Sequence, residues 1–160
     1  MKLFFADKIL SDKDFREKIK EIERLEKDRI FCRHGIDHFL DTARITLILC
    51  QEKKIKVNED VIYCASLLHD TGRAEEYKNG IPHHLASVEF SKKILEKIGA
   101  DENFKNQVLS LVECHRKTNP ENTIEYIFSL ADKKSRQCFM CEAVDKCKWN
   151  DEKKNLTLEV

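Results

Sequence analysis

The stretch Leu67-Leu68-His69-Asp70-Thr71-Gly72-Arg73 sets a histidine and an aspartate directly behind an apolar run and just ahead of a glycine. Upstream, Asn58 stands where a helix N-cap is expected, and Val61, Ile62, Ala65 and Leu68 recur at helical spacing. The segment therefore predicts a helix that ends near Gly72, with the glycine in the left-handed C-terminal conformation. An imidazole and a carboxylate behind a buried run are costly without partners, and metal coordination offsets that cost. Adjacent helical positions point about 100° apart. Either the helix ends at Gly72 and both side chains converge on one ion, or Asp70 bridges to a second ion with its two oxygens.

The flanking sequence is also helical. Ser11 followed by Asp14 reads as an N-cap with an acidic first turn, and Phe15, Ile19, Ile22 and Leu25 give an amphipathic helix reaching about Arg29. A helix from Ile36 to Glu52 buries Phe39, Leu40, Ala43, Leu47 and Cys50. Further helices are predicted from Leu85 to Ile98 before Gly99, from Glu102 to Arg116, and from Glu121 to about Arg136 after Asn119-Pro120. Six helices with short connections make an all-α single-domain bundle over residues 1–137, with a cysteine-containing tail, residues 138–160, packed on it. Within the tail, Phe139 to Lys146 suggests a short helix, and Leu156-Thr157-Leu158-Glu159-Val160 alternates like a strand.

Composition narrows the function classes. Lys plus Arg and Asp plus Glu number 29 each in 160 residues, so the formal charge is zero and no long-range basic field favours a nucleic acid polymer or an anionic membrane. With 41% hydrophobic residues but only 4 Gly and 2 Pro, the chain suits a helical core rather than disorder. A chain of this length buries roughly 70% of its unfolded surface as one domain. The patch Leu3-Phe4-Phe5-Ala6 is cut off by Asp7 and is too short for a signal peptide. The longest apolar run, Ile45 to Cys50, is far below the ~20 residues a membrane span needs, so a cytoplasmic location is expected. The face carrying Phe15, Ile19 and Ile22 packs either internally or against another copy, which leaves a homo-oligomer open.

The histidines cluster at predicted helix ends: His34, His38, His69, His83, His84 and His115. Asp132, in Leu130-Ala131-Asp132-Lys133, is a second carboxylate behind an apolar helical segment. In this order the residues resemble the HD-domain superfamily of metal-dependent phosphohydrolases, whose signature is a His, then His-Asp, then a distant Asp. The matching positions are His38 in His38-Phe39-Leu40-Asp41-Thr42-Ala43, the pair His69-Asp70, and Asp132 in Ala131-Asp132-Lys133-Lys134-Ser135; the resemblance spans about Arg33 to Arg136. It looks like the subset with two additional histidines for a second metal, at the positions of His83 and His115.

The resemblance implies one metal on His38, His69, Asp70 and Asp132, and a second on His83 and His115 with Asp70 bridging. Two residues compete with these positions: His34 lies four before His38, and His84 adjoins His83. A ligand set of His and carboxylate without thiolate suits Fe, Mn, Co, Ni or Zn. The implied activity is hydrolysis of a small phosphorylated substrate, with a nucleotide favoured, by metal-activated water. Asp70 would share in that chemistry, while Arg73 and Lys133, and less strongly Arg116 and Arg136, are the cations placed to hold phosphate. Two other readings fit the same pocket: a di-iron oxygenase of this fold, and a non-catalytic sensor of metal and nucleotide.

The seven cysteines form an odd set without secretory context, so a complete disulfide framework is not expected. Cys50, Cys64 and Cys114 fall on apolar helical faces and read as small core residues. Cys138-Phe139-Met140-Cys141 with Cys147 spaces three thiols as Cys-x2-Cys-x5-Cys, and Cys32 is the leading fourth. That set reads either as a structural zinc or iron–sulfur site or as free thiols.

Overall fold

The computed structural model describes residues 2–114, 120, 121 and 123–158. Among them run eight α-helices: α1 (Phe4–Ser11), α2 (Lys13–Leu25), α3 (Ile36–Glu52), α4 (Glu59–Leu68), α5 (Arg73–Asn79), α6 (His83–Lys97), α7 (Glu102–Cys114) and α8 (Ile124–Lys134). The all-α bundle expected from the pattern is therefore present, with two more helices than the six predicted. Neither addition carries an ordinary N-terminal signal, although α5 closes on Gly80 in the left-handed conformation. The first amides of α1 are satisfied from a distance, since Asp60 Oδ2 accepts from Phe5 N at 2.7 Å and Oδ1 from Ala6 N at 2.9 Å. The α5 helix has only seven residues and no side-chain cap.

Several boundaries move for identifiable reasons. Asp12, not Ser11, caps α2, its Oδ1 accepting from Asp14 N and Phe15 N, while the Ser11 hydroxyl donates back to Asp7 O and closes α1. Asn58 caps α4 as expected. Thr123 caps α8 through Tyr126 N, so that helix starts after Glu121. In α6 the first turn begins at His83, two residues ahead of the predicted start. Residues 156–158 form no strand, and residues 159 and 160 lie outside the described set. In place of a helix from 139 to 146 there are two single 3-10 turns, Cys138–Met140 and Val144–Lys146.

α4 is the central element. Val61, Ile62, Cys64, Ala65, Ser66, Leu67 and Leu68 are all buried, and the helix packs against α1, α3, α6 and α7. A helix apolar on every side is stable only inside such a cage. Phe39, Phe104, Val108, Leu111 and Phe128 fill the main core around it, and a smaller cluster of Leu49, Cys50, Ile127 and Ala131 joins α3 to α8. Cys50, Cys64 and Cys114 are buried, as their apolar faces predict. No helix among the described residues is long and apolar enough to cross a membrane.

Candidate metal centre

Three helix ends meet beside this core. His38 lies in the first turn of α3, His69 and Asp70 directly follow α4, and Asp132 lies in the last turn of α8. One ligand atom from each of the four lies within 4.8 Å of the others. His38 Nε2 is 3.6 Å from Asp70 Oδ2 and 3.4 Å from Asp132 Oδ1, and His69 Nε2 is 3.6 Å and 3.7 Å from the same two oxygens. These separations are too long for hydrogen bonds. They are slightly wider than the ~3.0–3.4 Å that separates neighbouring ligands around an ion held at about 2.1 Å.

The tautomers of both imidazoles follow from their other nitrogens. The Ser135 hydroxyl donates to Asp132 O at 2.7 Å, so it receives the His38 Nδ1 proton at 2.9 Å. Nδ1 of His69 donates to Ser66 O at 2.7 Å, because a carbonyl only accepts. With each Nδ1 engaged, it is Nε2 that each ring turns toward the two carboxylates, and His38 Nε2 is buried with no hydrogen-bond partner among the described residues. Four such donor atoms within 4.8 Å of one another suit a divalent cation.

The carboxylates are held ionised. Burial opposes the charge on Asp70, yet His69, Arg73 and His38 outweigh it and keep the carboxyl well below its ordinary range. For Asp132, burial is likewise overcome by His69 and His38, and the carboxyl is lowered. Burial pushes the other way at His69, but Asp70 and Asp132 together raise its pKa, a local demand for positive charge that a cation also meets. Asp132 is the most open of the four, its side chain 22% exposed.

Gly72 seats α6 against this turn by being small. Its φ of −75° and ψ of −3° are ordinary right-handed values, contrary to the left-handed conformation expected. A Cβ there would lie 2.1 Å from His83 O and 2.6 Å from Ser87 N. Gly72 N also donates to Ser87 Oγ at 2.9 Å. The close seat brings His83 Nε2 to 3.4 Å from Asp70 Oδ1, with its Nδ1 donating to Glu76 Oε1 at 2.8 Å. Of the competing pair, His83 faces the cluster and His84 sits beside it, ring centroids 5.9 Å apart. His115 and Arg116 lie outside the described residues.

Asp70 thus divides its oxygens: Oδ2 faces His38 and His69, while Oδ1 faces His83 and accepts from Arg73 Nε at 3.1 Å. Arg73 also binds Glu76 Oε2 through Nη1 at 3.0 Å, so its guanidinium is turned inward onto carboxylates. Lys133 is exposed, and it lines a groove with Trp149 and Lys154 that none of the four clustered residues borders. His34 is buried in the loop before α3 with Nε2 at 3.8 Å from Asp70 Oδ2, close to the cluster but outside the group of four.

A model of the HD domain family matches residues 35–137. The chain belongs to the HD domain family. Members are typically metal-dependent phosphohydrolases, which agrees with the His/Asp cluster at the helix ends. This HD protein is 38% identical over 150 residues to an uncharacterised protein of Clostridium beijerinckii, covering 94% of the present chain and 95% of the relative. No solved structure matches it.

Sequence reasoning missed the groups that orient the histidines of this HD protein. Glu26, at the end of α2, is 2% exposed and accepts from His34 N and Nδ1 and from the Tyr77 hydroxyl. Burial alone would raise its pKa, but the contacts from His34 and Tyr77 lower it. Glu26 and Glu76 look like two more charges in a chain that is 36% charged, with no spacing signal to single them out. Ser135 could have been found, because it follows Asp132 by three residues on the same helical face.

Proposed function

We propose that this HD protein hydrolyses a small phosphorylated substrate, with a nucleotide as the leading class, by attack of metal-activated water. The observation that supports this reading is the pair of Nε2 lone pairs converging with Asp70 and Asp132 at the ends of three helices. His38, His69, Asp70 and Asp132 would hold one ion, and His83 with His115 and the second oxygen of Asp70 a further one. The donor set suits Fe, Mn, Co, Ni or Zn rather than calcium. Such ions supply a water whose pKa falls toward ~7 and neutralise phosphoryl oxygens.

Phosphate monoester hydrolysis calls for acceleration of up to ~10²¹, whereas positioned acid–base groups alone give ~10²–10⁴, so the centre must carry most of the chemistry. The side chains divide the remaining work. Ser135 and Ser66 O hold the His38 and His69 rings in the Nε2-presenting tautomer. Arg73 fixes Asp70 Oδ1 and keeps that carboxylate ionised, a positioning role in place of direct phosphate binding. Asp132, the most exposed of the four, marks the side from which water and substrate enter. Lys133 and Arg136, beyond it on the α8 side, are then peripheral to the reacting phosphate. The tail over residues 138–160 is a separate unit fastened to the 1–137 helical domain.

The test is phosphate release from a panel of nucleotides and sugar phosphates by protein loaded with Mn²⁺, Co²⁺, Ni²⁺ or Fe²⁺, with Asp70→Ala as control. Turnover abolished by Asp70→Ala supports the proposal. A metal-loaded protein that releases no phosphate, but consumes oxygen with an organophosphonate, would replace it with the oxygenase reading.

A further inference from the structure

The C-terminal segment is fastened by little that ordinarily holds a chain in place. Among the described residues after α8 there are only single 3-10 turns, the third being Asp151–Lys153. Apart from the half-buried Trp149, the larger apolar side chains face solvent: Phe139 is 41% exposed, Met140 76% and Leu158 83%. The tail residues that reach the interior are Cys138 and Ala143. Asn155 Nδ2 reaches the carbonyls of Lys133, Lys134 and Arg136 at 2.8–3.1 Å, and Arg136 lies 5.3 Å from the Trp149 ring centroid. Ordering so irregular a stretch with so little apolar burial calls for a staple, and the choices are a disulfide or a metal. All seven cysteines are free thiols.

The structure brings Cys32, Cys138 and Cys141 to one place, and Cys147 follows Cys141 by six residues in the sequence. Cys141 and Lys146 line a common groove with Lys27, Arg29, Phe31 and Arg33, so the tail turns lie against the loop that carries Cys32. Arg29 Nε holds Cys32 O at 2.7 Å. Burial raises the Cys32 thiol, and Cys138 and Cys141 are near enough to raise it further, while Arg136 acts in the opposite sense. Nη1 of Arg136 is buried with no hydrogen-bond partner among the described residues, a donor standing ready beside these sulfurs. Cys147 lies near Lys154, another cation.

We propose that Cys32, Cys138, Cys141 and Cys147 form a closed four-thiolate site for a zinc ion, which clasps the tail onto the loop between α2 and α3. The Cys-x2-Cys pair supplies a chelate, Cys147 closes the tail's own loop, and Cys32 ties it to the helical body. Four thiolates around one Zn²⁺ leave two negative charges, which Arg136, Lys146, Lys154 and Arg33 surround. In the described structure the sulfurs are spaced more widely than the His/Asp group. Zn–S bonds of ~2.3 Å would draw them to ~3.8 Å from one another, a closure for the loop and the single turns to absorb. A closed site has no open position, so its role is structural and separate from the His/Asp centre.

The experiment is zinc analysis of the full chain and of Cys138→Ser/Cys141→Ser, Cys147→Ser and Asp70→Asn, with native thiol alkylation mapped by peptide. About one equivalent of zinc that survives Asp70→Asn but falls at least tenfold in occupancy in the cysteine variants supports the site. On wild-type protein, which needs no variant to fold, Cys32, Cys138, Cys141 and Cys147 should resist alkylation until a zinc chelator is added and then label together. Labelling of these thiols at the same rate with and without chelator overturns the proposal, as does a disulfide among them or iron with acid-labile sulfide at these positions. Loss from Asp70→Asn of metal beyond that one equivalent bears on the hydrolase reading, whereas loss of the equivalent itself overturns the cysteine site.

Discussion

Replacing Gly72 by alanine tests whether the seat between the His69-Asp70 turn and α6 is as tight as described. The added Cβ would meet His83 O at 2.1 Å, Ser87 N at 2.6 Å and the Ala86 Cβ at 2.8 Å. Two of these are backbone atoms on α6, so no side-chain rotation relieves the clash, and the helix must retreat by roughly 1 Å to reach ordinary contact. Overpacking of this kind costs ~1–3 kcal/mol, and a backbone obstacle belongs at the upper end. The retreat also stretches the Gly72 N to Ser87 Oγ bond, worth ~1 kcal/mol. The sum, ~3–4 kcal/mol, is a large part of the ~5–15 kcal/mol typical of a domain.

Urea unfolding gives the number, with Gly35→Ala as control. No atom lies within 4 Å of a Cβ at Gly35, and its φ of −93° suits any residue, so that change should stay within ~0.5 kcal/mol. Gly72→Ala should also weaken metal binding, because α6 carries His83 away from Asp70 Oδ1. A Gly72→Ala protein within ~0.5 kcal/mol of wild type, with unchanged metal affinity, would show that α6 is not tightly seated on this turn.

Other consequences are checked more briefly. Ser135→Ala removes the acceptor for His38 Nδ1 and should lower metal affinity ~10–100-fold by calorimetric titration, with the fold intact. Asp60→Ala strips the long-range cap from α1 and should cost ~1–2 kcal/mol in urea, with early hydrogen exchange at Phe5 and Ala6. Glu21 is lowered first by its hydrogen bond to Lys78 and then by Lys18, against its burial. A carboxylate with a folded pKa below its unfolded one stabilises fully above the unfolded value and loses that contribution as pH falls through the folded one. Glu21→Gln should therefore be less stable than wild type by under ~1 kcal/mol near neutrality, and the two melting curves should converge as the pH falls through the folded-state pKa of Glu21.

Much of this architecture was legible because its signals are local. The α3 boundaries follow from a Phe39, Ala43, Leu47, Cys50 stripe between a glycine and a charged end, and α4 from an N-cap and a continuous apolar face. His38, His69, Asp70 and Asp132 stood out because chemistry-bearing side chains at the ends of buried runs need a reason. What stayed hidden depends on contacts distant in sequence. α1 is capped from Asp60, 54 and 55 residues away. Gly72 is required for the space beside α6, which no dihedral preference reveals. The orientation of His34 and His83 rests on Glu26 and Glu76, carboxylates indistinguishable in sequence from their solvated neighbours.

In the proposed function, His38, His69, Asp70 and Asp132 hold a transition metal. This is met most directly by elemental analysis of wild-type and Asp70→Ala protein, each purified without added metal and again after titration with Mn²⁺, Fe²⁺ and Zn²⁺. At least one equivalent of metal should be present in the wild type and missing from a folded Asp70→Ala. Equal metal content in the two, or no uptake by the wild type of any of the three ions, would contradict it.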